Sequence, residues 1–131
     1  MSKTIAILFG LIYVAMGIIG FFDTGLVGPD GFFASNTLYN VVFLVVGAVL
    51  LGGAAGRWGA TRGTNMIVGA VLALIALTGF LMVPERGEML GMLVSGSDHW
   101  LNLLAGLALI GVSLAERGTV AGMHMPRHAT R

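Results

Sequence analysis

Four long stretches of the chain carry no Asp, Glu, Lys or Arg: Thr4–Phe22, Leu38–Ala55, Asn65–Val83 and His99–Ala115. Within each, apolar residues run on almost without a break instead of marking one face. Each approaches the roughly 20 residues needed to cross about 30 Å of hydrocarbon. In lipid, backbone N–H and C=O groups must find partners within their own segment, so the pattern predicts four transmembrane helices. The first stretch is longer than the apolar part of a signal peptide, and no small-x-small cleavage site follows it promptly. It is read as a retained span. The expected fold class is all-α, an integral membrane four-helix bundle built from two duplicated helix hairpins.

Composition agrees with lipid as the solvent. Of 131 residues, 56% are hydrophobic and only 10% charged, against about 25% charged in an ordinary soluble domain. The absence of cysteine removes disulfides, thiolate metal sites and dithiol chemistry together. A net charge of +1 supplies no field to recruit nucleic acid. One Lys beside six Arg, with abundant Gly, Ala and Val, points to a GC-rich bacterial genome.

The charges sort by side. Lys3, Arg57, Arg62, Arg117, Arg127 and Arg131 fall on one side of the four spans, and Arg86 on the other. Asp23, Asp30, Glu85, Glu88 and Asp98 accompany Arg86. The positive-inside rule then places both termini in the cytoplasm of a bacterial inner membrane.

Sliding the chain along itself by 59 positions aligns its halves. Gly10 meets Gly69, Gly20 meets Gly79, Phe21 meets Phe80, Gly47 meets Gly106 and Leu50 meets Leu109. Repeat one covers about 4–59, repeat two about 63–118, and 119–131 is expected to be a flexible cytoplasmic tail. Two spans per repeat keep both copies in the same orientation, so any pseudo-two-fold axis runs along the membrane normal. Small residues let helix backbones approach closely in lipid. Gly47, Ala48, Gly52, Gly56, Gly69 and Gly106 are the expected helix-packing positions, within the bundle or toward another subunit. The loops DTGLVGPDGFFAS and PERGEMLGMLVSGS break helix with glycine and proline yet carry apolar residues. Both read as caps lying on the outer leaflet, with room for a short interfacial helix.

Polar residues gather where the second helix of each repeat begins. In SGSDHWLNLL, Ser95 and Asp98 fit a capping box, Asp98 suits the positive end of a helix dipole, and Trp100 suits headgroup depth. Asn102 lies a turn deeper, on the face of Asp98. In SNTLYNVVF, Asn36 and Asn40 share a face, with Tyr39 beside them. Asn36, Tyr39, Asn40, Asp98, His99 and Asn102 are therefore the candidate site. They cap and bond helices to one another, or they line an outward-facing pocket for a small lipophilic or protonated ligand.

Other chemistry is thinly supplied. Met123, His124, Met125 and His128 suit copper(I) by ligand type, but the signal is weak, and a disordered basic tail near anionic lipid is the preferred reading. A bis-histidine haem site needs a second histidine near a span, and only His99 is there. No phosphate loop or paired intramembrane carboxylate stands out, and no nucleophile has a histidine beside it in the sequence. No cofactor, metal site or catalytic residue is expected.

The two helix openings, Asn36-Thr-Leu-Tyr39-Asn40-Val-Val-Phe43-Leu-Val-Val-Gly47 and Asp98-His99-Trp100-Leu-Asn102-Leu-Leu-Ala-Gly106, give the chain a resemblance. It resembles the small bacterial membrane proteins grouped as domain of unknown function 4383, over nearly its whole length. That pattern carries histidines where this chain has Tyr39, Phe43 and Asn102, and asparagine where it has His99. The resemblance implies fold and location and supplies no activity. The expected function is non-enzymatic: an accessory or scaffold subunit that packs against other membrane-protein subunits or itself within the lipid bilayer. The alternative is a binder or carrier of a small ligand at the outer polar cluster.

Overall fold

The structure, a computed structural model, describes residues 1–22, 25–57 and 60–129, with side chains as far as Glu116. The expected tail and its Met123, His124, Met125 and His128 lie outside the residues whose side chains are described. Four helices dominate: α1 (Ser2–Gly20), α2 (Thr37–Ala54), α3 (Thr61–Met82) and α4 (Gly96–Ala129). All four are long and apolar enough to cross a membrane, α4 over Gly96–Glu116. Only 33–39% of each span is buried. The rest presents large apolar side chains outward, among them Leu11, Val45, Leu74, Leu77 and Leu107. Such a surface is unstable in water and suited to acyl chains.

Glycine decides how the helices pair. A Cβ on Gly47 would stand 2.7 Å from Gly10 O, and one on Gly10 would stand 3.2 Å from Gly47 O. So α1 and α2 cross almost backbone to backbone. In the second hairpin a Cβ on Gly106 would stand 2.6 Å from Gly69 O, and one on Gly69 would stand 2.8 Å from Gly106 O. Between the hairpins larger side chains fill the centre: Phe43, Leu50, Leu72 and Leu109, all at most 2% exposed, with Ala6, Ala76 and Ala105 between them.

Two other glycines end elements. Gly56, expected in helix packing, has a positive φ of 74° and open space around it. Gly56 N–H donates to Gly53 O and Arg57 N–H to Gly52 O, each at 3.0 Å. This is the glycine stop of α2, a Schellman motif, and among the described residues it meets no other helix of the bundle. Gly91 follows Leu90 at the tip of a hairpin, with φ of 80° and 54°.

That hairpin, β3 (Arg86–Met89) against β4 (Met92–Ser95), stands where a short interfacial helix had room to form. Its two-residue turn has positive φ at both positions, the sense that matches strand twist. Alternation turns Met89, Met92 and Val94 inward and leaves Glu88 and Leu90 outside. The first loop forms strands too. β1 (Val27–Gly28) pairs in parallel with β2 (Phe33–Ala34). A Cβ on Gly31 would press on the Gly28 nitrogen at 2.9 Å, so the tight return needs glycine. Arg86 fastens the two loops, its guanidinium donating to Pro29 O at 2.5 Å and to Gly31 O.

Gly106→Val will lower stability by about 2–3 kcal/mol, because the backbone it meets cannot give way as a side chain would. Gly111→Ala, with nothing within 4 Å of the added methyl, will be neutral or slightly stabilising. Thermal unfolding of both variants in detergent micelles checks the pair.

Candidate functional site

Helix capping organises the outer end of α4. Asp98 reaches back so that Oδ2 accepts from the backbone N–H and the hydroxyl of Ser95, each at 2.9 Å. This is the returning half of a capping box. Ser95 Oγ in turn accepts from Ala34 N–H at 3.2 Å. The cap thus ties the start of α4 to the first loop. Asp98 is wholly buried, and its other oxygen, Oδ1, has no hydrogen-bond partner.

One turn deeper, Asn102 joins three helices. Its Oδ1 accepts from Tyr13 OH of α1 at 2.6 Å, and its Nδ2 donates to Tyr39 OH of α2 at 2.8 Å. The rings of Tyr39 and Phe43 stack at 4.2 Å, and Tyr13 leans on Phe43 at 5.7 Å. All four residues are at most 2% exposed. Tyr13 is the member that the pattern of polar residues missed, because its ring reads as part of an apolar run. A hydroxyl in mid-span was the available signal, since it needs a partner in lipid.

Asn40 and His99 do a different job. Asn40 rests on Gly20 and accepts from Ser35 Oγ through Oδ1. His99 rests on Gly79, and its Nε2–H donates to Val83 O at 2.5 Å. Val83 caps α3, whose last carbonyls have no partner within the helix. Because a carbonyl only accepts, this bond fixes the proton on Nε2. Phe80 meets the His99 ring edge-on at 5.2 Å and Trp100 at the same distance. Asn36 is the N-cap of α2, accepting from Tyr39 N–H at 3.0 Å and donating to Gly91 O at 3.0 Å.

The six candidates therefore do not converge on one opening. Tyr39 and Asn102 share a buried network with Tyr13. Asp98 sits a turn outward beside Ser95. Asn40 and His99 lie in the separate interfaces α1–α2 and α3–α4. Asn36 and Asn40 line an outward cavity of about 160 Å³ with Gly20, Ser35 and Thr37. Ser2, Asn65 and Ser113, buried at the other end, were also not singled out by their positions in sequence.

These features define a small multi-pass membrane protein, a four-helix bundle whose intramembrane polar groups bond mainly to one another. The model of the family described as Domain of unknown function (DUF4383) matches residues 3–115, and the chain belongs to that family. No curated protein matches it, and no solved structure does.

Asn102→Leu strands both tyrosine hydroxyls and will cost about 1–3 kcal/mol. Tyr39→Phe removes one bond and will cost about 0.6 kcal/mol, the average for interhelical bonds in bilayers. Reversible denaturation in bicelles will show that order.

Proposed function

We propose that the chain is a non-enzymatic accessory or scaffold subunit, which packs through α2 against a larger membrane complex or a second copy. One observation carries this reading. Ala48 is exposed on the outer face of α2, beside the half-buried Gly52 and below the exposed Val41 and Val45. The small-residue series is not consumed within the bundle at Ala48, which leaves a shallow face where another helix can approach closely. Tyr39 and Asn102 support the same reading, since groups spent on each other and on Tyr13 are poorly placed to bind substrate.

The membrane is taken to be the bacterial inner membrane, with both termini cytoplasmic. Lys3, Arg57 and Arg62 share one end, where Asn65 Nδ2 donates to Ser2 O at 2.9 Å. We also read the hairpins as copies of one unit. The crossing of Gly10 and Gly47 matches that of Gly69 and Gly106. The seat of Asn40 on Gly20 matches that of His99 on Gly79. Each pair is displaced by the same 59 positions.

Purification from native membranes in mild detergent will bring down a partner chain or a second copy. Ala48→Leu will release it while the monomer stays folded. Association that survives this substitution rules out the α2 face.

A second reading, capture of a small lipophilic or protonated ligand at the outer cluster, is favoured by the unpartnered Oδ1 of Asp98. Native mass spectrometry of the purified chain would then show a small-molecule adduct that Asp98→Ala with His99→Ala removes. An adduct retained by that double variant excludes this site.

A further inference from the structure

The outward cavity of about 160 Å³ lies between the end of α1, the first loop and the start of α2. It is larger than the roughly 30 Å³ that one water occupies in the liquid. Ser35, Asn36, Thr37 and Asn40 are its polar lining, Phe21 and Pro29 its apolar lining. Some of these polar atoms are already engaged. Asn36 Oδ1 accepts from Tyr39 N–H and its Nδ2 donates to Gly91 O, each at 3.0 Å. Ser35 Oγ donates to Asn40 Oδ1.

What remains is a set of donors. Asn40 is only 3% exposed and is seated on Gly20. With Oδ1 held by Ser35, Nδ2 is the amide atom left to face the cavity, and no acceptor among the described residues takes it. The Thr37 hydroxyl also has no partner among the described residues. Thr37 opens α2, and the leading N–H groups of a helix have no partner within it.

Charge adds to this. The first turn of α2 holds no acidic residue, so no carboxylate of its own offsets the positive end of this 18-residue helix, whereas Asp98 stands in the first turn of α4. Behind the Pro29 wall, the Arg86 guanidinium donates to Pro29 O at 2.5 Å. Asp30, next in the chain, is exposed and does not line the cavity.

Donors without acceptors define the guest. A cation finds no carboxylate among the lining residues, and an acyl chain leaves every donor unsatisfied. A phosphate oxygen accepts from all of them. Phe21 on the wall and Leu38 beside Thr37 are both exposed, an apolar rim suited to the boundary between headgroups and acyl chains. We infer that the cavity binds the phosphate group of an outer-leaflet phospholipid, held by Asn40 Nδ2, the Thr37 hydroxyl and the first N–H groups of α2. The site is separate from Asp98 and His99 and independent of the accessory-subunit reading, so Ala48→Leu leaves it intact.

The test uses the full chain, labelled with ¹⁵N in maltoside micelles. It is titrated with short-chain phosphatidylglycerol, with the matching diacylglycerol and with inorganic phosphate. The Thr37 and Leu38 backbone amides will shift saturably with phosphatidylglycerol and stay in place with diacylglycerol. Inorganic phosphate will move them only at much higher concentration. Thr37→Val, at an exposed position, keeps the fold and will weaken the lipid response about tenfold. Asn40→Asp keeps the acceptor for Ser35, replaces the donor by a carboxylate and will abolish the response. Amides that do not move, an equal response to diacylglycerol, or undiminished binding by both variants overturns the site. Inorganic phosphate as effective as the lipid assigns the cavity to free phosphate and overturns the lipid source.

Discussion

The arrangement depends on the close approach of backbones at two glycine pairs, Gly10 with Gly47 and Gly69 with Gly106. In lipid, burying apolar side chains against each other gains little, because acyl chains are equally apolar. Helices are held by van der Waals contact and by the hydrogen bonds that contact brings into range. Removing the side chain where two helices cross lets each hairpin close tightly. That closure sets the level of every other side chain. It brings Asn40 onto Gly20 and His99 onto Gly79, and it holds the outer helix ends near enough for Asn102 to reach two tyrosines.

Polar bonding then divides into two layers with an apolar middle among the described residues. The outer layer comprises Tyr13, Tyr39 and Asn102, with Asp98 and Ser95 above them. The inner layer comprises Ser2, Asn65 and Ser113. Asn102 and Ser113 are eleven residues apart on α4, about 16 Å at the helical rise. Leu50, Leu72, Ala105 and Leu109 occupy that interval. The outer loops, braced by Arg86 and by Asn36 against Gly91, close the first layer from above.

The spans were legible because uninterrupted apolar runs leave few alternatives to a helix in lipid. Their ends shifted where polar residues continue the helix: α3 begins at Thr61, four residues before the uncharged run, and Arg62 reaches across to Ser113 O. The capping of α4 by Ser95 and Asp98 was readable because it is local. The partners of Asn102 were not, since they lie 63 and 89 positions away in the chain. Tyr13 was hidden by its apolar surroundings. The role of Gly56 in ending α2 was not legible because a small residue that ends a helix and one that packs against another look the same in sequence. The hairpin from Arg86 to Ser95 was missed because Leu90–Gly91 lacks the Asn or Asp that usually marks such a turn.

The central claim, that each hairpin is closed by glycine backbones in contact within the membrane, is tested most directly by solid-state NMR in lipid bilayers. The chain would be labelled with ¹³C at glycine. Long-range cross-peaks between Cα and carbonyl carbons should link Gly10 to Gly47 and Gly69 to Gly106. Spectra that resolve these glycines but show no contact between them would contradict the account.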